Sequence, residues 1–377
     1  MREIPFYVPS IDKEEKALIN EVLMFKGASK IEELEDLVTE YIGCKYAVST
    51  SSWGAAMHLS MFALELKRGD KILCSVNVFP AVAESVRHFD AEPIFVDIDS
   101  EDFNISSTKL KEALVKHMHK KLKAVIVSHV GGQPSDMDEI YKIAKENNIV
   151  VIEDASMALG ATYEGQKIGS TGADITTFGF GTKMKNAIGS VGIIATNSEK
   201  IYKRAKLIRH HAIEADEWDK NGHLGYVYDV VDIGIKYDTS ELDAAYAIAQ
   251  LQKADEHIKR RQAIAKVYDR ELSSIKHVSI PKKVRDHIYG LYIIKIDKNR
   301  DDFARALKEK GIETGLHYVP LHLLTYYKQK YSLRVNDFPV ALTNYQQILS
   351  LPNYVGMSDD DVNYVCKMIK EISANRA

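Results

Sequence analysis

The sequence predicts an α/β fold in which a large domain with a mostly parallel sheet is followed by a smaller α+β domain. From about Lys45 to about Thr196, short β-branched runs alternate with longer amphipathic segments, the pattern of consecutive βα units. The 377 residues also exceed the roughly 250–300 residues at which single cores usually stop growing. We therefore expect two packed domains, residues 1–255 and residues 256–377.

The first of these regions is predicted to hold strands separated by helices. Each strand candidate is a short run rich in β-branched or apolar residues, and each helix candidate is a longer amphipathic run. The strands are Tyr46–Ser49, Lys71–Cys74, Pro93–Asp97, Ala124–Ser128, Val150–Glu153 and Gly192–Ala195. The helices are Ala55–Leu66, Ala81–Phe89, Ser107–His117 and Met137–Glu146.

One long helix is predicted to join the two domains, from Ser240 to about Leu272. Apolar residues recur along one of its faces, as expected for a helix packed on a core. Beyond it, the pattern predicts strands within Lys276–Asp297, a helix at Asp302–Lys310 and a closing helix at Asp359–Ile372. These elements form the smaller α+β domain.

Charge and composition argue against several classes of partner. The chain carries 50 Lys+Arg and 53 Asp+Glu, a formal net charge of -3, so no electrostatic feature favours nucleic acid or an anionic membrane. Its apolar runs are far shorter than the ~20 residues that a membrane helix needs, and its first residues lack an apolar signal core. We expect a cytoplasmic protein that binds neither nucleic acid nor membrane.

The cysteines fit neither a disulfide framework nor a metal cluster. They are odd in number and widely separated, at Cys44, Cys74 and Cys366. No other group of residues has metal-ligand spacing. We therefore interpret the cysteines as packing residues and expect no metal site.

A first candidate for chemistry is the strand-to-helix junction at Ser51–Ala56. In open α/β sheets, ligands bind beyond the carboxyl ends of the strands, and a helix N-terminus there can hold a phosphate through its backbone N–H groups. Taken alone, the same segment is better interpreted as the simple N-cap of a helix by Ser51 or Ser52.

Two further candidates follow later strands. A β-rich run ends in the carboxylates Glu153 and Asp154, one of which can pair with a protonated ring nitrogen, although an Asp at this place often only caps a helix. The Gly-punctuated segment Phe178–Lys183 ends in a lysine that can form a Schiff base with a carbonyl cofactor, although a single lysine is often only surface charge.

The order of these features is more informative than any one of them. A phosphate-binding junction is followed by an aromatic residue after a strand, Phe79, then by Asp154 and, 29 positions later, by Lys183. Pyridoxal 5'-phosphate (PLP) needs partners for its phosphate, ring face, ring nitrogen and aldehyde. The four features in this order predict a PLP site.

With these features, the sequence resembles the DegT/StrS family of PLP-dependent sugar aminotransferases, which have the aspartate-aminotransferase-like fold-type I architecture. The resemblance covers nearly the whole chain and rests on a series of segments rather than on one motif. These segments are Tyr46–Leu59, Asp70–Val86, Phe95–Asp99, His129–Asp138, Val151–Gly160, Thr182–Gly192, Ser240–Leu251 and His317–His322.

The resemblance implies roles for individual residues. Lys183 matches the Schiff-base lysine, with Lys185 as a nearby rival, and Asp154 matches the partner of the pyridine nitrogen. Phe79 matches the aromatic residue that stacks on the ring, and Trp53 and Gly54 match the positions whose backbone holds the phosphate. A variant of the family that dehydrates sugars has histidine in place of the lysine, so Lys183 argues against dehydration.

Several positions depart from the family pattern. Trp53-Gly54 replaces the usual Gly-Thr, Gly179 replaces a serine on the lysine loop, and Met157 replaces the glutamine near the cofactor's ring hydroxyl. Lys236 replaces an asparagine that reaches the neighbouring subunit's cofactor phosphate, so its ammonium is either a substitute phosphate ligand or an exposed loop charge. The segment at Lys26–Lys30, usually beside the substrate, is contracted.

By the same resemblance, the protein is expected to be a homodimer with shared active sites. It would move an amino group from L-glutamate to a keto group, most often on a nucleotide-linked sugar used for polysaccharide synthesis. His317, Tyr318 and His322 match a segment that lies near substrate in the family. The contracted segment leaves open a small phosphorylated ketone as acceptor, and a non-catalytic PLP-binding protein is a further alternative.

Overall fold

The computed structural model describes residues 2–117, 121–181, 189–215 and 228–376. The helices, numbered α1 to α13, are Lys13–Leu23, Lys30–Ile42, Trp53–Ala63, Ala81–Arg87, Ser107–His117, Met137–Asn147, Glu199–Arg209, Glu241–Gln252, Ala254–Leu272, Arg300–Glu309, Thr325–Lys330, Pro339–Gln347 and Asp359–Ala374. The strands, β1 to β14, are Tyr46–Thr50, Lys71–Ser75, Glu92–Val96, Leu122–Ser128, Val150–Asp154, Thr162–Tyr163, Gln166–Lys167, Ile175–Gly181, Ser190–Thr196, Ile213–Ala215, Tyr228–Val230, Val278–Ser279, Tyr292–Ile296 and Ile348–Leu351.

A seven-stranded sheet forms the centre of the large domain. Its strand order is β1-β9-β8-β5-β4-β2-β3, and β9 is antiparallel to both of its neighbours while the other pairs are parallel. Residues of β4, such as Val125 and Ile126, are completely buried, as expected for a sheet covered on both faces. The predicted α/β class with a mostly parallel sheet is confirmed.

The parallel strands share one edge at which their carboxyl ends meet. In β4 and β5 the last paired residues are Ser128 and Asp154, and Asp154 is in turn paired with Thr177 of β8. The N-terminus of α3, which follows β1, is capped by Ser52, whose hydroxyl accepts a hydrogen bond from the Ala55 N–H at 3.1 Å. Strand ends and a helix start are thereby placed around one concave region.

Two predicted elements differ from the structure. The Gly-punctuated segment that was expected to be a loop is, up to Gly181, strand β8. A Cβ at Gly181 would lie 2.6 Å from the backbone oxygen of Gly189, and a Cβ at Gly179 would lie 3.1 Å from the Trp53 side chain. The single helix expected from Ser240 to Leu272 is instead α8 and α9. The chain leaves helical geometry between them at Lys253, whose φ of -98° and ψ of 3° end one helix and begin the next.

The C-terminal region has its own sheet and core. Strands β12, β13 and β14 form an antiparallel sheet that packs with α9, α10 and α13 around fully buried residues such as Tyr268 and Tyr292. Ile4 from the N-terminal segment joins this core, and its N–H donates to Gly311 O at 2.7 Å. The domain division at residues 255 and 256 stays a prediction, with α9 contributing residues to both cores.

Among the helices that the structure describes, none is long and apolar enough to cross a lipid bilayer.

Candidate active site

Asp154 ends β5 at the carboxyl edge of the large sheet. Its Oδ2 accepts a hydrogen bond from the Ser128 hydroxyl at 2.8 Å, and its Oδ1 accepts one from the Ser156 N–H at 3.1 Å. The side chain is buried, and this burial raises the pKa of the Asp154 carboxyl, opposed by the hydrogen bonds from Ser156 and Ser128. A positive charge placed beside this carboxylate would be strongly stabilised, because water is excluded from it.

The neighbouring carboxylate, Glu153, belongs to a different network. Strand alternation turns its side chain to the opposite face, where it accepts hydrogen bonds from the hydroxyls of Tyr141 and Thr176, each at 2.8 Å. Burial alone raises its pKa, but His129, 3.8 Å away, together with these hydroxyls holds the pKa of the Glu153 carboxyl below its usual range. The two carboxylates at the end of β5 therefore have separate surroundings.

An aromatic cluster lies close to Asp154. Phe79 is 52% exposed, and the centroids of the Trp53 and Tyr318 rings lie 6.3 Å and 6.2 Å from the centroid of its ring. The Tyr318 hydroxyl donates to Met157 Sδ at 3.8 Å, and burial and the charge of Asp154 both raise the pKa of this tyrosine. A large aromatic ring exposed beside buried polar groups is suited to stacking on a planar ligand.

The first turn of α3 supplies unused backbone donors. Ala55 N–H is bound by the Ser52 hydroxyl and Ala56 N–H by Ser52 O, so the N–H groups of Trp53 and Gly54 remain without an intrahelical partner. The indole Nε1 of Trp53 donates to the Thr177 hydroxyl at 3.2 Å, which fixes the side chain against β8. The helix start can therefore accept an anion at Trp53-Gly54.

These residues fit PLP. A buried carboxylate suits a protonated ring nitrogen, an exposed ring suits the cofactor's face, and the free N–H groups of a helix start suit a phosphate. In the described residues, the structure brings together Trp53, Gly54, Phe79, Asp154 and Met157, all of which the sequence had assigned to cofactor binding.

Lys183 and its rival Lys185 lie outside the described residues. Strand β8, which leads to them, runs parallel to β5 and extends beyond Thr177, the residue paired with Asp154, as far as Gly181. The assignment of either lysine as the covalent attachment point thus stays a prediction.

Lys236 is exposed, and its ammonium contacts residues outside the aromatic cluster. Its ammonium forms an ion pair with Asp238 and lies 3.5 Å from His210 Nδ1. Tyr237 lies between Lys236 and Asp238 in the sequence, and its carbonyl oxygen accepts a hydrogen bond from the Ser51 N–H at 2.8 Å. The segment that carries Lys236 is thereby tied to the junction that precedes the phosphate-binding turn.

The two histidines predicted near substrate have different surroundings. His317 is half-buried, stacks on Phe6 and has its Nδ1 2.9 Å from the Ser350 hydroxyl. His322 is fully buried, packs on Phe338, and lies with its Nε2 3.1 Å from Val335 O. Because a side chain without exposed surface cannot contact a substrate, we leave His322 out of the proposed site and interpret it as structural.

Sequence reasoning missed the polar residues that support this site. Ser128 and Ser156 position the Asp154 carboxylate, and Asn77 Oδ1 accepts the Tyr318 N–H at 3.2 Å. Ser128 was detectable in principle, since it ends a predicted strand adjacent to the one that ends at Asp154. Asn77 gave no signal, because its partner lies 241 positions further along the chain.

Comparison with known proteins gives a consistent picture across the chain. Residues 9–370 match the DegT/DnrJ/EryC1/StrS aminotransferase family. The spore coat polysaccharide biosynthesis protein SpsC of Bacillus subtilis is 33% identical over 98% of this chain and 97% of its own length. A GDP-perosamine synthase of Escherichia coli O157:H7 is 30% identical over 100% of both chains.

Solved structures show the same fold. The putative sugar aminotransferase Spr1654 from Streptococcus pneumoniae, in its PMP form, superposes with a TM-score of 0.91 and covers 99% of each chain. At 24% sequence identity, this likeness supports the fold rather than a substrate.

Proposed function

This chain belongs to the DegT/DnrJ/EryC1/StrS family of PLP-dependent aminotransferases, and we propose that it transfers an amino group from L-glutamate to a keto group on a nucleotide-linked sugar. When bound, PLP supplies a carbonyl that exchanges nitrogen with the substrates and a ring that takes up electrons from the substrate carbon. Membership of an enzyme family sets aside the alternative of a non-catalytic PLP-binding protein. We also propose a cytoplasmic location.

We propose the following roles for the chain's own residues. Asp154 keeps a proton on the ring nitrogen, because its buried carboxylate is most stable beside a positive charge. Phe79 stacks on the ring, and the N–H groups of Trp53 and Gly54 bind the phosphate. Lys183 provides the covalent attachment and moves a proton to and from the substrate carbon.

Whole-length similarity to two sugar-related proteins carries the proposal of a sugar acceptor. SpsC is named for polysaccharide biosynthesis, the second relative is named as a GDP-perosamine synthase, and both align over nearly all of this chain. Trp53 is an argument for a smaller keto-phosphate instead, because a large side chain with its ring 6.3 Å from the ring of Phe79 would leave less room for the acceptor. Since fold does not determine substrate, the two acceptors need a direct test.

Acceptor choice can be measured separately from donor use. We expect protein loaded with pyridoxamine phosphate to regain the absorbance of bound PLP within seconds when offered a 3-keto or 4-keto sugar nucleotide, and to react at least about tenfold more slowly with a three-carbon ketose phosphate. Rapid return with the ketose phosphate alone would contradict the sugar proposal and leave PLP-dependent transamination unaffected.

We further propose a homodimer in which Lys236 reaches the partner's cofactor phosphate. Lys236 is preceded by large exposed apolar side chains, including Tyr228, which is 62% exposed, and Ile233, which is 79% exposed. Such clusters on an otherwise polar surface mark protein interfaces. The ammonium of Lys236 would then compensate for the missing threonine hydroxyl at Gly54.

Co-expression of two inactive variants tests the shared site. Lys183→Ala and Lys236→Glu chains are each expected to be inactive, whereas a random mixture should recover roughly a quarter of wild-type turnover, because half of the dimers are hybrid and one of their two sites is intact.

The matched control pairs Lys183→Ala with the double variant Lys183→Ala/Lys236→Glu. This mixture should recover no turnover, because neither chain carries Lys183. If verified hybrid dimers of the first pair stay inactive, Lys236 acts within its own chain and not on the partner's cofactor.

A further inference from the structure

A cavity of about 140 Å³ lies beside the proposed cofactor site. One wall is formed by Ser156 and Met157, which follow Asp154, and by Gly179–Gly181, the end of the strand that leads to Lys183. The opposite wall comes from the N-terminal segment, α9 and the C-terminal domain, and includes Tyr7 and Arg261. The cavity thus borders both the ring-nitrogen partner and the start of the lysine segment.

Arg261 is a partly buried cation in the lining of this cavity. Its Nε donates to Ile288 O at 3.4 Å, and it forms no ion pair with any residue that the structure describes. Burial lowers the pKa of its guanidinium, and only the hydroxyls of Tyr7 and Tyr41 oppose this effect. A guanidinium in such a place is costly unless an anion joins it.

The other described residues of the lining add no anion. His257 also lines the cavity, and burial, Arg261 and Lys253 lower the pKa of this imidazole. None of the described lining residues is Asp or Glu. The described lining thus includes a positive charge, the Arg261 guanidinium, and no carboxylate to neutralise it.

We propose that Arg261 binds a carboxylate of the amino donor in this cavity. The proposal rests on the proposed function, because it assumes that an amino acid reacts at the neighbouring cofactor site. A guanidinium presents two parallel N–H donors that match a carboxylate. Within the described part of the chain, Arg261 donates from Nε to Ile288 O, and its terminal nitrogens form no hydrogen bond there.

The size of the cavity favours the donor over the acceptor. Pockets for larger organic ligands measure about 300–1,000 Å³, whereas this cavity measures about 140 Å³. An amino acid is of suitable size, but a nucleotide-linked sugar is not. Arg261 therefore determines donor specificity, and the sugar nucleotide binds in another part of the site.

Measuring the two half-reactions separately distinguishes donor binding by Arg261 from a general effect on the enzyme. For Arg261→Gln, we expect the apparent Kd for L-glutamate in the donor half-reaction to rise about 100-fold, in line with loss of a charge-assisted pair of hydrogen bonds. The acceptor half-reaction, started from protein loaded with pyridoxamine phosphate, should stay within about threefold of wild type. Arg261→Lys should restore part of the donor affinity, because it retains the positive charge but not the two parallel N–H donors of the guanidinium.

A binding measurement gives a readout without catalysis. Calorimetric titration with glutarate, a dicarboxylate that cannot react, should detect binding to the wild-type holoenzyme and about 100-fold weaker binding to Arg261→Gln. Lys266→Gln, an exposed substitution on the same helix, is the matched control and should leave both measurements unchanged.

The outcomes distinguish this inference from the proposed function. If wild-type protein does not accept nitrogen from glutamate, the proposed donor is wrong. If wild type reacts but Arg261→Gln and Arg261→Lys keep its donor Kd, the carboxylate site is overturned. Loss of both half-reactions equally, or of the acceptor half-reaction alone, also overturns it, since Arg261 would then support the fold or bind the acceptor's phosphate.

Discussion

Replacing Lys183 with alanine is expected to abolish turnover, with kcat reduced at least about 10³-fold. Proton transfer by a positioned side chain alone contributes about 10²–10⁴-fold, and the substitution also removes the proposed covalent attachment of the cofactor. Strand β8, parallel to β5, directs the chain from Thr177, the partner of Asp154, toward this lysine. The measurement is single-turnover amination of a keto acceptor with glutamate as donor.

Lys185→Ala is the matched control, since it removes the same side chain two positions away. It should retain most activity. Borohydride reduction of the wild-type holoenzyme, followed by peptide mapping, should place the cofactor on Lys183. A label on Lys185, or on neither lysine, would refute the assignment while leaving the family membership intact.

The large sheet was predictable from the sequence because its strands are compact apolar runs. The strand predicted at Val150–Glu153 is a β-branched run, and the structure has it at Val150–Asp154, one residue longer. Local sequence failed at β8, whose glycines suggested a loop. A Cβ at Gly181 would lie 2.6 Å from Gly189 O, just before β9, and the φ of Gly181 is +135°, so the close approach and the backbone conformation both favour glycine inside this strand.

The departures from the family pattern show a second limit. Trp53 and Gly179 appeared in the sequence as independent replacements, but a Cβ at residue 179 would lie 3.1 Å from Trp53 Cβ. The larger side chain at one position therefore matches the absence of a side chain at the other. Such coupling depends on the distance between a helix start and a strand, which no local pattern contains.

Residues of the candidate site were predictable only where the residue type and its position in the sequence pattern were informative by themselves. Asp154 was found because a carboxylate ending a buried strand is informative by itself. Arg261 was not found, because it is one of several basic residues on an amphipathic helix. Its distinction is the absence of an ion pair in the described residues and the cavity beside it, and both depend on segments far apart in sequence.

Asp154→Asn is expected to reduce kcat about 10³-fold while leaving the cofactor-free protein at least as stable as wild type. Catalysis falls because a neutral amide cannot keep a proton on the ring nitrogen, which then takes up fewer electrons from the substrate. Stability is preserved because the Ser128 and Ser156 contacts can be kept by the amide. Turnover and the absorbance of the bound cofactor measure the first effect.

The sign of the pH dependence follows from the raised pKa of Asp154. The folded, cofactor-free protein holds this proton more tightly than the unfolded chain, whose carboxyl has the ordinary pKa of 3.8. Wild-type stability should therefore fall as pH rises from about that value through the raised folded-state pKa, and Asp154→Asn should not show this fall. Denaturant unfolding of the cofactor-free proteins between pH 4 and 8 measures the difference.

Glu153→Gln makes the same chemical change on the opposite face of the sheet. It should lower stability while largely preserving turnover, the reverse of Asp154→Asn. Its carboxylate is held by Tyr141, Thr176 and His129, so its loss should lower the free energy of unfolding by about 1–3 kcal/mol. Turnover should stay within about tenfold of wild type, because this network does not face the ring nitrogen. If instead Glu153→Gln abolished turnover and Asp154→Asn did not, the two carboxylates at the end of β5 would have to exchange roles.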